Sequence, residues 1–168
     1  MYSKNQRILL MGSSSFKNEE LPIEIKDKLD LGIEKCVIFI VAEAYGAYRL
    51  FQDYLNSKNY GNVIVGHAKS IRYNAGSWKH IQYGTNLKER EKNMIEECDH
   101  AIVIWQDYSG VIAENLEYMK KLRKPTFLYE FDSTYNTELA GDLDPMRTYR
   151  KIHNKGKTMV INTRRKKN

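Results

Sequence analysis

Lys35-Cys-Val-Ile-Phe-Ile-Val-Ala42 is apolar at every position after the lysine and rich in β-branched residues. A strand with one wet face alternates apolar and polar side chains. An unbroken apolar strand is one covered on both faces, as in a parallel sheet. Working outward, Arg7-Ile-Leu-Leu-Met-Gly12 repeats the pattern and runs into Gly-Ser-Ser-Ser, which reads as a strand feeding a turn. Asn62-Val-Ile-Val-Gly66, His100-Ala-Ile-Val-Ile-Trp105 and Pro125-Thr-Phe-Leu-Tyr129 read as further strands, and Lys157-Thr-Met-Val-Ile-Asn162 as one more at an edge.

Helical periods fill the intervals. A helix is expected from Asn18, with Pro22 in its first turn and Leu21, Ile25 and Leu29 at four-residue spacing. Another follows from about Tyr45, with Leu50, Tyr54 and Leu55 on one side; a charged one spans Asn86 to Glu97, and the last runs from Gly110 to Lys121. Strands and helices alternate, which predicts an α/β chain: a Rossmann-like three-layer sandwich with a mostly parallel central sheet and right-handed crossovers. The 168 residues, 42% of them apolar, suit a single domain over 1–162 followed by a basic tail at 163–168. Residues 67–85 show neither period and read as a long loop of the kind that carries function. Residues 130–144 hold five acids and no base, which reads as an acidic loop.

The net charge of +6 is unevenly placed. Residues 146–168 hold nine Lys/Arg and no acid, leaving 18 bases against 21 acids in the rest. The body is therefore slightly acidic, which disfavours nucleic acid as the main partner. No apolar run approaches the roughly 18 to 20 residues needed to cross a bilayer. The N-terminus lacks a secretory pattern, and Cys36 and Cys98 have no metal-site or disulfide-framework spacing. These features predict a cytoplasmic protein with no metal and no cofactor. The four histidines show no i, i+4 pairing, and no GxSxG nucleophile elbow is present.

In an open parallel sheet, ligands gather where strand C-termini give way to helix N-termini, whose unpaired N–H groups favour anions. Three strands end in small or polar turns: Gly12-Ser-Ser-Ser15, Ala42-Glu-Ala-Tyr-Gly46 and Gln106-Asp-Tyr-Ser-Gly110. A phosphate needs N–H groups free of Cβ interference and hydroxyls that donate. Gly12, Ser13, Ser14, Ser109 and Gly110 supply them.

These turns carry a resemblance. Ile8-Leu-Leu-Met-Gly-Ser-Ser-Ser-Phe16 is similar to a strand and "GSRxF" turn, and Ala42-Glu-Ala-Tyr-Gly-Ala-Tyr-Arg-Leu50 to a "GGAxGADRL" turn. Arg90-Glu-Lys-Asn-Met94 through Glu114 is similar to an "RKxxM … PGGxGTxxE" stretch. Together, and in this order over residues 7–130, they resemble the SLOG group of Rossmann-like domains, which includes LOG-type nucleotide phosphoribohydrolases and the DNA-processing protein DprA. Ile71-Arg-Tyr-Asn-Ala-Gly-Ser-Trp78 is similar to the "RNNxGxW" insertion of small DprA-like members. The chain departs from the pattern at Glu43, where a phosphate-cradling Gly is expected, and at Tyr48, Glu91, Gln106-Asp-Tyr108 and Val111.

The resemblance implies a nucleotide or nucleotide-derived ligand touching the turn residues above together with Glu43, Gly46, Arg49 and Val111. It implies N-glycosidic hydrolysis or sugar transfer, with Glu114 stabilising an oxocarbenium-like state and Arg90 clasping a phosphate or carboxylate through paired N–H donors. It also implies a homodimer. Read as residues alone, Glu114 is an exposed helix acid, Arg90 lies in a charged run typical of a solvated face, and Glu43 is a helix N-cap. Trp78 and Tyr73 either stack on a base or plug the edge of the core. Three functions follow: a nucleotide-processing hydrolase or transferase, a non-catalytic nucleotide-signal sensor or binding module, and DprA-like DNA binding through the basic tail. The lost motif residues lean toward the second.

Overall fold

The computed structural model describes residues 2–154 and 157–163, with backbone alone for 148–154 and 157–163. The basic tail expected at 163–168 lies outside the described residues except for the backbone of Thr163. The elements are β1 (Arg7–Gly12), α1 (Ile23–Glu34), β2 (Ile38–Ala42), α2 (Ala47–Ser57), β3 (Val63–His67) and β4 (Lys79–Gln82). They continue with α3 (Leu87–Glu97), β5 (His100–Gln106), α4 (Gly110–Lys121), β6 (Thr126–Asp132), β7 (Thr137–Asp142), β8 (Thr148–Asn154) and β9 (Lys157–Thr163).

Seven strands form one sheet in the order β4-β3-β2-β1-β5-β6-β7. All neighbours are parallel except β6 and β7. The chain steps outward from β1 through β2 to β3 and then returns past β1 to β5. Right-handed crossovers therefore place α1 and α2 on one face and α3 and α4 on the other. Tyr54 of α2 donates to Asp30 of α1 at 2.6 Å, and Tyr118 of α4 to Glu96 of α3 at 2.5 Å, tying each helical layer together. The α/β sandwich expected from the apolar runs is the fold observed.

The central strands are those with unbroken apolar stretches. Ile8, Leu9, Leu10, Phe39, Ile40, Val41, Ile102, Val103 and Ile104 are all fully buried. Three strands escape the apolar pattern. β4 forms inside the long loop, β7 inside the acidic stretch, and β8 pairs with β9 in a separate antiparallel ribbon, so β9 is not at the edge of the main sheet. α1 begins at Ile23 rather than Asn18, because Pro22 serves as its N-cap with extended backbone. Among the described residues no helix is long and apolar enough to cross a membrane.

Burial separates the two thiols. Cys98 is fully buried, and burial pushes its pKa up to about 11, while Cys36 is exposed. Because the thiolate is the reactive form, Ellman's reagent is expected to titrate one thiol in the native protein and both in denaturant.

Candidate functional site

The sheet reverses direction between β1 and β5, so the crevice beyond Gly12 and Gln106 is the topological switch point. The three turns meet there. Ser13 N–H donates to the Ile104 carbonyl at 3.0 Å, and Ser13 Oγ accepts from Gln106 N–H at 2.9 Å, which ties the first turn to the third. Ala47 N–H donates to the Ser13 carbonyl at 3.3 Å, which ties the second to the first. Two glycines make this closeness feasible. A Cβ on Gly12 would lie 2.5 Å from Ala47 Cβ, and one on Gly46 would lie 2.4 Å from the Ser14 carbonyl oxygen. Gly46 also has φ +71°, a conformation that L residues resist.

In the third turn, Asp107 and Tyr108 stand where the resembled pattern has two glycines, and both adopt left-handed backbone, at φ 50° and 53°. Such geometry costs a non-glycine residue roughly 1–2 kcal/mol, so something must hold it. The Asp107 carboxylate accepts Ser133 N–H and Oγ–H, each at 2.7 Å, and Asp107 N–H donates to the Phe131 carbonyl at 2.8 Å. Burial acts to raise the Asp107 pKa, but these Ser133 donors outweigh it and hold the carboxyl below its ordinary value. The Tyr108 ring packs edge-on against Trp105 with centroids 5.1 Å apart, and Trp105 Nε1–H donates to the Ser109 carbonyl at 3.0 Å.

Beneath the turns lies a charge network in which Glu43, Arg90 and Glu91 are buried and Arg72 is exposed. Glu43, 2% exposed, accepts from Arg90 Nη1 at 2.7 Å, from Arg72 Nε at 2.8 Å and from Arg72 Nη2 at 3.1 Å. Arg90, 4% exposed, also donates from Nη2 to Glu91 at 2.7 Å. Asn115 of α4 donates to the second Glu91 oxygen at 3.3 Å, and the Tyr48 hydroxyl lies 3.5 Å from the first. Burial, reinforced by the Glu91 charge, holds Tyr48 well above its ordinary pKa and hence protonated. Two arginines thus face two carboxylates. The carboxylate that Arg90 clasps comes from its own chain, at the position where the resembled pattern has glycine.

The predicted residues separate accordingly. Gly12, Ser13, Ser14, Gly46, Ser109 and Gly110 lie in the converging turns; Ser13 is buried with its hydroxyl engaged, whereas Ser14 is exposed. Glu43 and Arg90 lie in the layer beneath, so Arg90 is not on a solvated face. Glu114 and Val111 are exposed on the first turns of α4. Arg49 is exposed, with its guanidinium carbon 5.5 Å from the Tyr73 ring centroid. Trp78 is 9% exposed and donates from Nε1 to the Tyr60 carbonyl at 2.9 Å, so it plugs the edge of the core and offers no open face for a base. Tyr73 remains partly open beside Tyr45, which is 50% exposed.

Four participants have no assigned role in the sequence reading: Arg72, Glu91, Asn115 and Gln52. Fully buried Gln52 donates to the Ala42 and Tyr73 carbonyls at 3.0 and 3.2 Å and accepts Ala75 N–H at 2.9 Å, pinning the loop that carries Arg72. The available signals were the arginine inside the insertion-like segment and an amide on the apolar face of α2. Two clefts of about 420 and 250 Å3 lie on α1 and beside β7, and neither includes a residue of the three turns.

Burial acts to raise the Glu43 pKa, but the Arg72 hydrogen bonds and the Arg72 and Arg90 charges bring it below its ordinary 4.5. A lowered native pKa gives stability that is present above the unfolded value and lost as pH falls through the native one. The stability gap between wild type and Glu43→Gln, measured by urea unfolding, is therefore expected to be widest above pH 4.5 and to shrink below it.

No protein-family model matches this chain, and no curated protein matches it.

Proposed function

We propose that the chain is a binding module for a phosphorylated nucleotide-type ligand, captured at the β1/β5 switch point and released unchanged. The convergence of three turns at the amino ends of α2 and α4 supports this reading, since those ends favour an anion. Ser14, Arg49 and Ser109 supply the polar side chains of the cradle, and Tyr45 and Tyr73 a platform for a base. Binding without turnover is the better reading because Arg90 is committed to Glu43 and Glu91, so a guanidinium that a hydrolase would direct at substrate neutralises the chain's own carboxylates. The resemblance adds a homodimer to this proposal, and the cysteine usage a cytoplasmic setting.

A thermal-shift screen against mononucleotides and cyclic dinucleotides, followed by chromatography of each hit after long incubation, tests the proposal. A stabilising nucleotide recovered intact from wild type and from Glu114→Gln is the expected result. Release of free base by wild type, lost in Glu114→Gln with affinity retained, would instead establish a hydrolase.

A further inference from the structure

We propose that His67 and His80 form a two-histidine chelate for a divalent transition-metal ion such as Zn2+ or Ni2+, which clasps the loop between β3 and β4. The two residues are separated by an irregular loop in sequence, but parallel pairing of Val65 with His80 and of His67 with Gln82 sets them on one face of adjacent strands. Their facing nitrogens, His67 Nε2 and His80 Nδ1, are 3.2 Å apart, with ring centroids 5.1 Å apart.

A second observation prepares His67 for this role. Its Nδ1 lies 3.2 Å from the Ala68 carbonyl, an acceptor only, so Nδ1 carries the ring proton and Nε2 presents a lone pair toward His80. A backbone carbonyl accepting the remote N–H is the usual support of a metal-bound imidazole. An ion about 2.0–2.1 Å from both nitrogens would subtend about 100° between them, close to tetrahedral. His80 is exposed, so its ring can turn toward the ion while its ring proton sits on Nε2. Among the described residues no group of three His, Cys, Asp or Glu side chains could hold a metal, so solvent completes the shell. Imidazole pairs suit borderline ions such as zinc and nickel rather than magnesium or calcium. The clasp would close the loop carrying Arg72 and Tyr73, which Gln52 and the Arg72–Glu43 ion pair also tie down.

The test is competitive titration of chelator-treated full-length protein with Zn2+ and with Ni2+ against a chromophoric chelator. One ion per chain is expected, with at least tenfold weaker binding in His67→Ala and in His80→Ala and unchanged binding in Lys79→Ala. Zinc is also expected to raise the Tm of wild type and not of the double variant. Histidine ring NMR of the wild type gives a readout that needs no variant: Zn2+ should move the ring nitrogens of His67 and His80 and leave those of His100 in place. Binding that survives removal of both imidazoles, or zinc shifts confined to other histidines, would overturn the site.

Discussion

Arg90→Met is expected to destabilise the protein by about 3–5 kcal/mol, the usual cost of breaking a buried ion pair by removing one partner. Arg90 bridges Glu43 and Glu91 at 2.7 Å each and is 4% exposed. Glu43 would keep Arg72, but Glu91 would keep only the weaker dipoles of Asn115 and Tyr48. The loss is therefore mainly an uncompensated carboxylate, and Arg90→Met combined with Glu91→Gln should recover part of it. A coupling of about 0.5–3 kcal/mol in that double-mutant cycle is the expected signature. Arg90→Lys should rescue poorly, since one ammonium cannot reproduce the planar fork that spans two carboxylates. Urea unfolding at neutral pH supplies the four stabilities of the cycle and that of Arg90→Lys. A total stability of about 5–15 kcal/mol makes the single change large enough to unfold a marginal domain.

Gly46→Ala is expected to cost about 3 kcal/mol or more. The backbone at φ +71° disfavours any Cβ by about 1–3 kcal/mol, and the new methyl would sit 2.4 Å from the Ser14 carbonyl oxygen and 2.7 Å from its carbon. Both contacts are backbone, so no side-chain rotation relieves them. Overpacking of this kind adds about 1–3 kcal/mol. The strain would be relieved by parting the first turn from the second, so ligand affinity should fall with stability. Gly61→Ala is the matching control: its Cβ meets nothing within 4 Å, and its effect should stay within about ±0.5 kcal/mol.

The sheet was legible where strands are covered on both faces, because burial leaves an unbroken apolar string, as in β1, β2 and β5. It was not legible at the margins. Lys79-His-Ile-Gln82 has one apolar residue, half-buried Ile81, and is held to β3 by backbone pairing and by the His80–His67 side-chain contact. Thr137–Asp142 is mostly exposed and antiparallel, so its register with β6 leaves no apolar trace, and Asn136 makes the hairpin turn at φ 48°. The turns of the candidate site were legible because glycine and serine reveal backbone needs locally. The charge network was not, because Lys88-Glu-Arg-Glu-Lys92 looks solvated until β2 brings Glu43 to Arg90 across 47 positions. Burial of a charge is a tertiary fact, and only its partner announces it. Trp78 shows the converse, an aromatic residue in an irregular segment that belongs to the core rather than to a ligand.

Amide NMR titration with the best-stabilising nucleotide tests most directly whether the converging turns form one cradle. Saturable shifts are expected in three groups, at Ser14, at Gly46 to Arg49 and at Ser109 to Ile112, all following a single dissociation constant and all weakened in Gly46→Ala. Shifts centred on the clefts beside α1 or β7, with the three turns unmoved at saturation, would contradict the single cradle.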